Sequence, residues 1–149
     1  MRRRARRSAQ TLDGMPPLRL TDGTSSLEID LATWDGDAYV TVAIQSRGYA
    51  GRNDMHVFSE AFVEFCASLI SLQRTLKGQA RLTGVMPDEL DIVLAPADAL
   101  GHIAVKGHTG HHVQIAHTSY WHAVHFGFQI EPTQLDAAAK VPWVTEHAV

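Results

Sequence analysis

Cysteine is almost absent: Cys66 stands alone among 149 residues. No intrachain disulfide can form, so packing must hold the core, and the chain suits a reducing compartment. Cys66 falls on the apolar side of a predicted helix, where a buried small hydrophobe is the expected reading and a nucleophile is not. No apolar run nears the roughly 18 residues that a membrane-spanning helix needs. Common catalytic motifs are also missing. The sequence has no HExxH, no HxE…PCxxC and no G-x-S-x-G, which argues against the usual zinc enzymes and nucleophile-elbow hydrolases. "GHTG" and "GYAG" lack the following Lys-Ser or Lys-Thr of a phosphate cradle. The carboxylate pairs Asp35/Asp37 and Glu89/Asp91 fall in turns or at outward strand positions, the ordinary pattern of a solvated face.

Apolar residues make up 45% of the chain and charged residues 19%, the balance of a globular domain large enough to bury a core. The charge is unevenly placed. Residues 1–14 hold five arginines and one aspartate; without them eight basic and fifteen acidic residues remain, a net charge of −7. An acidic body repels nucleic-acid phosphates and suits a basic protein partner. The arginine-rich start has no apolar stretch behind it, so a secretory leader is not expected. Three readings of it stay open: a disordered basic arm, a patch that touches nucleic acid or membrane, or upstream codons with Met15 as the true start. The expected division is a basic tail over residues 1–17 and one domain over residues 18–149.

Alternation marks the strands. Leu27, Ile29 and Leu31 alternate with Glu28 and Asp30; Ala38, Val40, Val42 and Ile44 alternate with Tyr39, Thr41 and Gln45. "RGYAGRND" reads as a loop before a short strand, "MHVF". Phe62, Phe65, Cys66, Leu69, Leu72 and Leu76 form an i, i+3, i+4, i+7 stripe, which predicts a helix from an N-cap at Ser59 to Lys77 with Gly78 just past its end. Further strand candidates follow, and "EPTQLDAAAKVPWV" predicts a short helix stopped by Pro142. The expected fold is α+β: one antiparallel sheet of about seven or eight strands packed on one long helix, with a short C-terminal helix.

Six of the nine histidines lie between His108 and His125. Turns at His108–Gly110 and Thr118–Trp121 would set Val105 against Val113 and Phe126, and Ile103 against Ile115 and Val124. That register sends His102, His112 and His125 to the outer face without convergence. It leaves only His117 and His122 facing each other, as the one candidate metal or catalytic pair. Two histidines are too few for a structural zinc site, so a structural role is expected, with no catalytic residue, metal or other cofactor. The better surface candidates are Arg47, Tyr49 and Arg52 on a glycine-containing loop, with Tyr120 and Trp121. Exposed Tyr, Trp and Arg are the types that anchor protein interfaces.

Several phrases point to a family: "MHVFSEAFVEFCASL" running into "LKGQARLTG", then "LGHIAVKG", then "WHAVHFGFQIEPTQL". From about Leu18 to Ala139 the chain resembles the small bacterial proteins grouped with the WapI-type immunity proteins and kindred families. The shared positions are Phe58, Gly78, Gly101, His102, Trp121, Phe128, Thr133 and Leu135. The resemblance implies a cytoplasmic, non-enzymatic protein that binds and neutralises a toxin partner, and it brings no catalytic residues. Two alternatives stand beside it: a metal- or histidine-dependent enzyme using His117 and His122, and a self-associating domain that forms a homodimer.

Overall fold

A computed structural model describes residues 16–148. The readings of the basic tail, Met15 included, lie outside the described residues. Eight strands form, divided between two antiparallel sheets of four instead of one sheet. Sheet A is the meander β1 (Leu18–Thr21), β2 (Ser26–Asp35), β3 (Asp37–Ser46) and β4 (Tyr49–Val57). Helix α1 (Ser59–Thr75) follows, and then sheet B: β5 (Ala80–Thr83), β6 (Leu90–Pro96), β7 (Ile103–Ile115) and β8 (Thr118–Ile130). Helices α2 (Pro132–Ala139) and α3 (Pro142–His147) end the described chain. No helix among the described residues is long and apolar enough to cross a membrane.

The inner faces of both sheets and the apolar stripe of α1 share one core. Leu27, Ile29, Val40, Val42, Leu82, Ile92, Leu94 and Val105 are fully buried, as are Phe62, Phe65, Cys66 and Leu69. A bulge at Ala32 shifts the β2–β3 register between Leu31 and Thr33. One extra residue reverses the alternation, so Trp34 turns inward. Its ring lies 5.6 Å from Phe62 and 4.6 Å from His147, and Phe62 stacks on the buried Trp143 at 5.5 Å.

Local signals at the helix ends differ from expectation. Phe58, not Ser59, is the N-cap, and the Ser59 N–H donates to Asp37 Oδ1 at 3.1 Å, a cap supplied from β3. The helix closes at Leu76 in the left-handed region (φ 53), with its N–H on the Leu72 carbonyl, two residues before Gly78. Leu76 therefore leaves the apolar stripe and is exposed. Pro142 starts α3 instead of stopping the preceding helix. A proline at N1 has no N–H to lose and already has a helical φ.

Two turns change the reading of sheet edges. Arg47 (φ 50) and Gly48 (φ 88) make a two-residue turn in the left-handed region, so Ser46 pairs directly with Tyr49 and the predicted loop is strand β4. The hairpin of sheet B turns at Ala116–His117, with Ala116 at φ 54 and Ile115 paired with Thr118. β7 runs unbroken through His108–Gly110. Val105 pairs with Phe128, Thr109 with Val124 and Val113 with Tyr120.

Gly107 lies where β7 presses on β6. A Cβ there would overlap the Asp91 carbonyl oxygen and come within 2.8 Å of Ile92 Cα, both backbone atoms that cannot step aside. Gly107→Ala is expected to destabilise the fold by at least about 1–3 kcal/mol. Gly127→Ala, whose nearest neighbour is Lys106 Cβ at 3.8 Å, should be neutral or slightly stabilising. Urea denaturation of the two variants checks the contrast.

Candidate functional site

The β7–β8 hairpin has two halves with different surroundings. Up to Thr109 and Gly110, β7 is packed on its inner side; from His111 to the turn and back to Ala123 every residue is exposed. The distal half is a two-stranded arm that extends beyond the core. Its inner face continues the alternation of the buried half: Thr109, His111, Val113 and Ile115 on β7 share a face with Val124, His122, Tyr120 and Thr118 on β8. Val113 and Ile115 follow the buried face by parity, yet they are 38% and 61% exposed because nothing among the described residues covers them.

β4 is an edge strand of sheet A, and it meets the base of this arm. Asn53 Nδ2 donates to the Gly110 carbonyl at 2.7 Å and reaches Thr109 Oγ1 at 3.3 Å. Thr109 Oγ1 and the Gly110 N–H both donate to the Glu89 carbonyl, at 2.8 and 3.1 Å. Lower on β4, the His56 carbonyl accepts from the Val85 N–H at 2.9 Å. Gly51 allows Val124 to come close: a Cβ at Gly51 would meet Val124 Cγ2 at 3.0 Å.

Above this junction the two sheets diverge and leave a cleft of about 430 Å³. Residues Ala50–Asn53 of β4 form one wall, and the arm around His111, His122 and Val124 forms the other. No carboxylate side chain lines it. Arg52 borders it, but its position on β4 is on the outer face of sheet A, where its charge acts on Asp30. Burial, and the neighbouring Glu28, hold the Asp30 carboxyl above the usual range against that charge.

Tyr49 opens β4 and is 72% exposed; Tyr120 and Trp121 are exposed on the arm, and Arg52 and Trp121 both border the cleft. Arg47 stands in the β3–β4 turn. Tyr49 and Arg52 belong to a strand, not to a loop. Trp121 meets the His112 ring edge-on at 4.9 Å on the outer face.

The histidines are arranged differently from the predicted register. His117 sits in the hairpin turn, and His122 pairs with His111, their rings 5.6 Å apart. His117 and His122 therefore do not form a pair. On the outer face His108 pairs with His125, rings 5.1 Å apart. The assignment of His112 and His125 to the outer face agrees with the strand parity; the partner assignments fail because the turn lies farther along the chain. No group of three or more His, Cys, Asp or Glu among the described residues is placed to hold a metal ion. Cys66 is fully buried and its thiol is pushed up to about 12 by desolvation, so it is unsuited to nucleophilic work.

No protein-family model matches the chain, and neither a curated protein nor a solved structure matches it.

Two outcomes follow from these side chains. Asn53→Ala removes the donor to the Gly110 carbonyl at a partly buried site and should cost about 1–3 kcal/mol, with faster amide exchange at residues 110–112 as the arm loosens. The second concerns Asp98 and His102, which pair at 2.6 Å beside Glu131 at 3.4 Å. The Asp98 bond holds His102 above its ordinary 6.5, and the His102 bond holds Asp98 below its ordinary 3.8. The histidine's contribution is complete below 6.5 and fades as pH rises through its raised value. The aspartate's is complete above 3.8 and fades as pH falls through its lowered value. The melting-temperature gap between the native chain and His102→Ala should be widest between those limits, near pH 5, and should narrow as pH rises through the histidine's raised value.

Proposed function

We infer that this protein is a non-enzymatic binding protein whose docking element is the β7–β8 arm together with the edge of β4. The observation that carries the reading is the exposed apolar surface on the arm: Val113, Ile115 and Tyr120 on its inner face and Trp121 on its outer face all reach solvent. A projecting hairpin that keeps a core-like face in water is unfavourable by itself, and a partner that covers it recovers that burial. The upper edge of β4, residues 50–53, borders the same cleft and suits an extended partner segment. Tyr, Trp and Arg are the residue types that anchor interfaces.

The charge of the body, net −7 without residues 1–14, favours a basic protein partner. The resemblance to WapI-type immunity proteins makes a toxin domain in the cytoplasm the particular partner to try. The enzymatic alternative loses its basis, since His117 and His122 lie apart in the register.

Affinity capture from native extract, run in parallel with the native chain and with Tyr120→Ala/Trp121→Ala, tests the reading. The expected result is a basic protein retained by the native chain and lost from the variant, at unchanged melting temperature. Equal retention by both chains, or none by either, would count against it. Self-association through the arm is a second reading supported by the same exposed face. Sedimentation velocity across a hundredfold concentration range separates it, because a concentration-independent monomer excludes a homodimer.

A further inference from the structure

The outer face of sheet B carries a row of chemistry-bearing side chains that the partner reading does not use. Thr83, Asp91, His108 and His125 lie side by side on β5, β6, β7 and β8. His108 Nε2 lies 3.1 Å from the Pro87 carbonyl oxygen. A carbonyl only accepts, so Nε2 must carry the proton and the lone pair of the neutral ring is on Nδ1. The two nitrogens of an imidazole face nearly opposite ways. Pro87 lies in the loop leading into β6, on one side of β7, so Nδ1 is turned to the other side, where β8 places His125. A backbone carbonyl holding the distal N–H is also how metal-binding histidines are commonly fixed in tautomer and orientation.

The ring separation fits a shared ion. With metal–nitrogen bonds of about 2.0–2.1 Å, each ring centroid stands about 3.1–3.2 Å from the ion, and two such rings at a tetrahedral angle lie about 5.1 Å apart. The His108 and His125 centroids are 5.1 Å apart. The His111–His122 pair is wider at 5.6 Å, and neither of its rings is tied to a backbone carbonyl among the described residues. Charge around the first pair is balanced. Asp91 is negative and next in the row, Arg81 engages it through two bonds of 2.8 and 2.6 Å, and Lys106 lies two residues back along β7.

We propose that His108 and His125 form a two-histidine site for a divalent transition-metal cation, Zn²⁺ foremost, bound through His108 Nδ1 and one nitrogen of His125. Two ligands leave coordination positions open to water or to a side chain from a partner. The ion bridges β7 and β8 just below the arm, as an open site and not a closed structural one. Zn²⁺ is bound by neutral imidazole nitrogens.

Calorimetric titration of the full chain with Zn²⁺ alone, free of affinity-resin metal, tests this. The expected result is one equivalent bound at pH 7.5, an affinity lowered at least about tenfold by His125→Ala and by His108→Ala, and little change with His111→Ala/His122→Ala. His125→Ala is the cleaner variant, because His108→Ala also removes the bond to Pro87; thermal unfolding confirms that each variant folds. Affinity that survives His125→Ala, an equal loss with His111→Ala/His122→Ala, or no saturable binding below millimolar Zn²⁺ overturns the proposal.

Discussion

Asn53 reaches from the edge of sheet A to the Gly110 carbonyl of sheet B, and the shape of the molecule changes at that bond. Below it, the facing sheets and α1 bury a continuous apolar core. Above it, β7 and β8 run on with both faces exposed among the described residues. The junction uses polar groups because backbone ends there: the Glu89 carbonyl, Thr109 and the Gly110 N–H would otherwise be left without partners at a partly buried edge. One side-chain amide and one hydroxyl satisfy them and set how far the sheets approach. Gly51 and Gly107 complete the constraint, since a side chain at either would push a strand away.

The arm depends on this anchoring. A free two-stranded hairpin is marginal in water, but here its ladder is continuous with a four-stranded sheet whose lower rows are buried. The same continuity explains why its inner face is apolar without being covered. Alternation set by the core runs past the core's end through Val113, Ile115 and Tyr120. Two histidine pairs fall on opposite faces of the hairpin, three positions apart along β7.

Much of the fold was legible in local pattern. The helical stripe, strands β2 and β3 of sheet A and the facing of β7 and β8 follow from periodicity, because burial on one face imposes it. The errors arose at turns. Gly110 suggested a loop, but glycine is there for close packing against Trp121 and Ala123. The real turn at Ala116–His117 has neither glycine nor asparagine, and Ala116 takes a left-handed φ without that signal. Arg47-Gly48 did carry a usable signal, a two-residue turn ending in glycine that joins two alternating runs. Of the site candidates, Tyr49, Arg52, Tyr120 and Trp121 were chosen by residue type. That Arg52 and Trp121 border one cleft depends on β4 packing against β7, a contact between residues 56 or 57 positions apart.

By itself, the sequence determined most of the residues that face inward, with Leu76 and Trp34 as exceptions, that Cys66 is buried, and that the chain is an α+β domain with an acidic body. These are properties of neighbours along the chain, where a period of 2 or 3.6 residues is enough. Tertiary structure alone decided that the strands divide into two sheets, that Asn53 joins them, and that His108 meets His125 while His122 meets His111. Pairing partners depend on where a turn falls, and a shift of one turn moves every cross-strand neighbour while leaving the alternation unchanged.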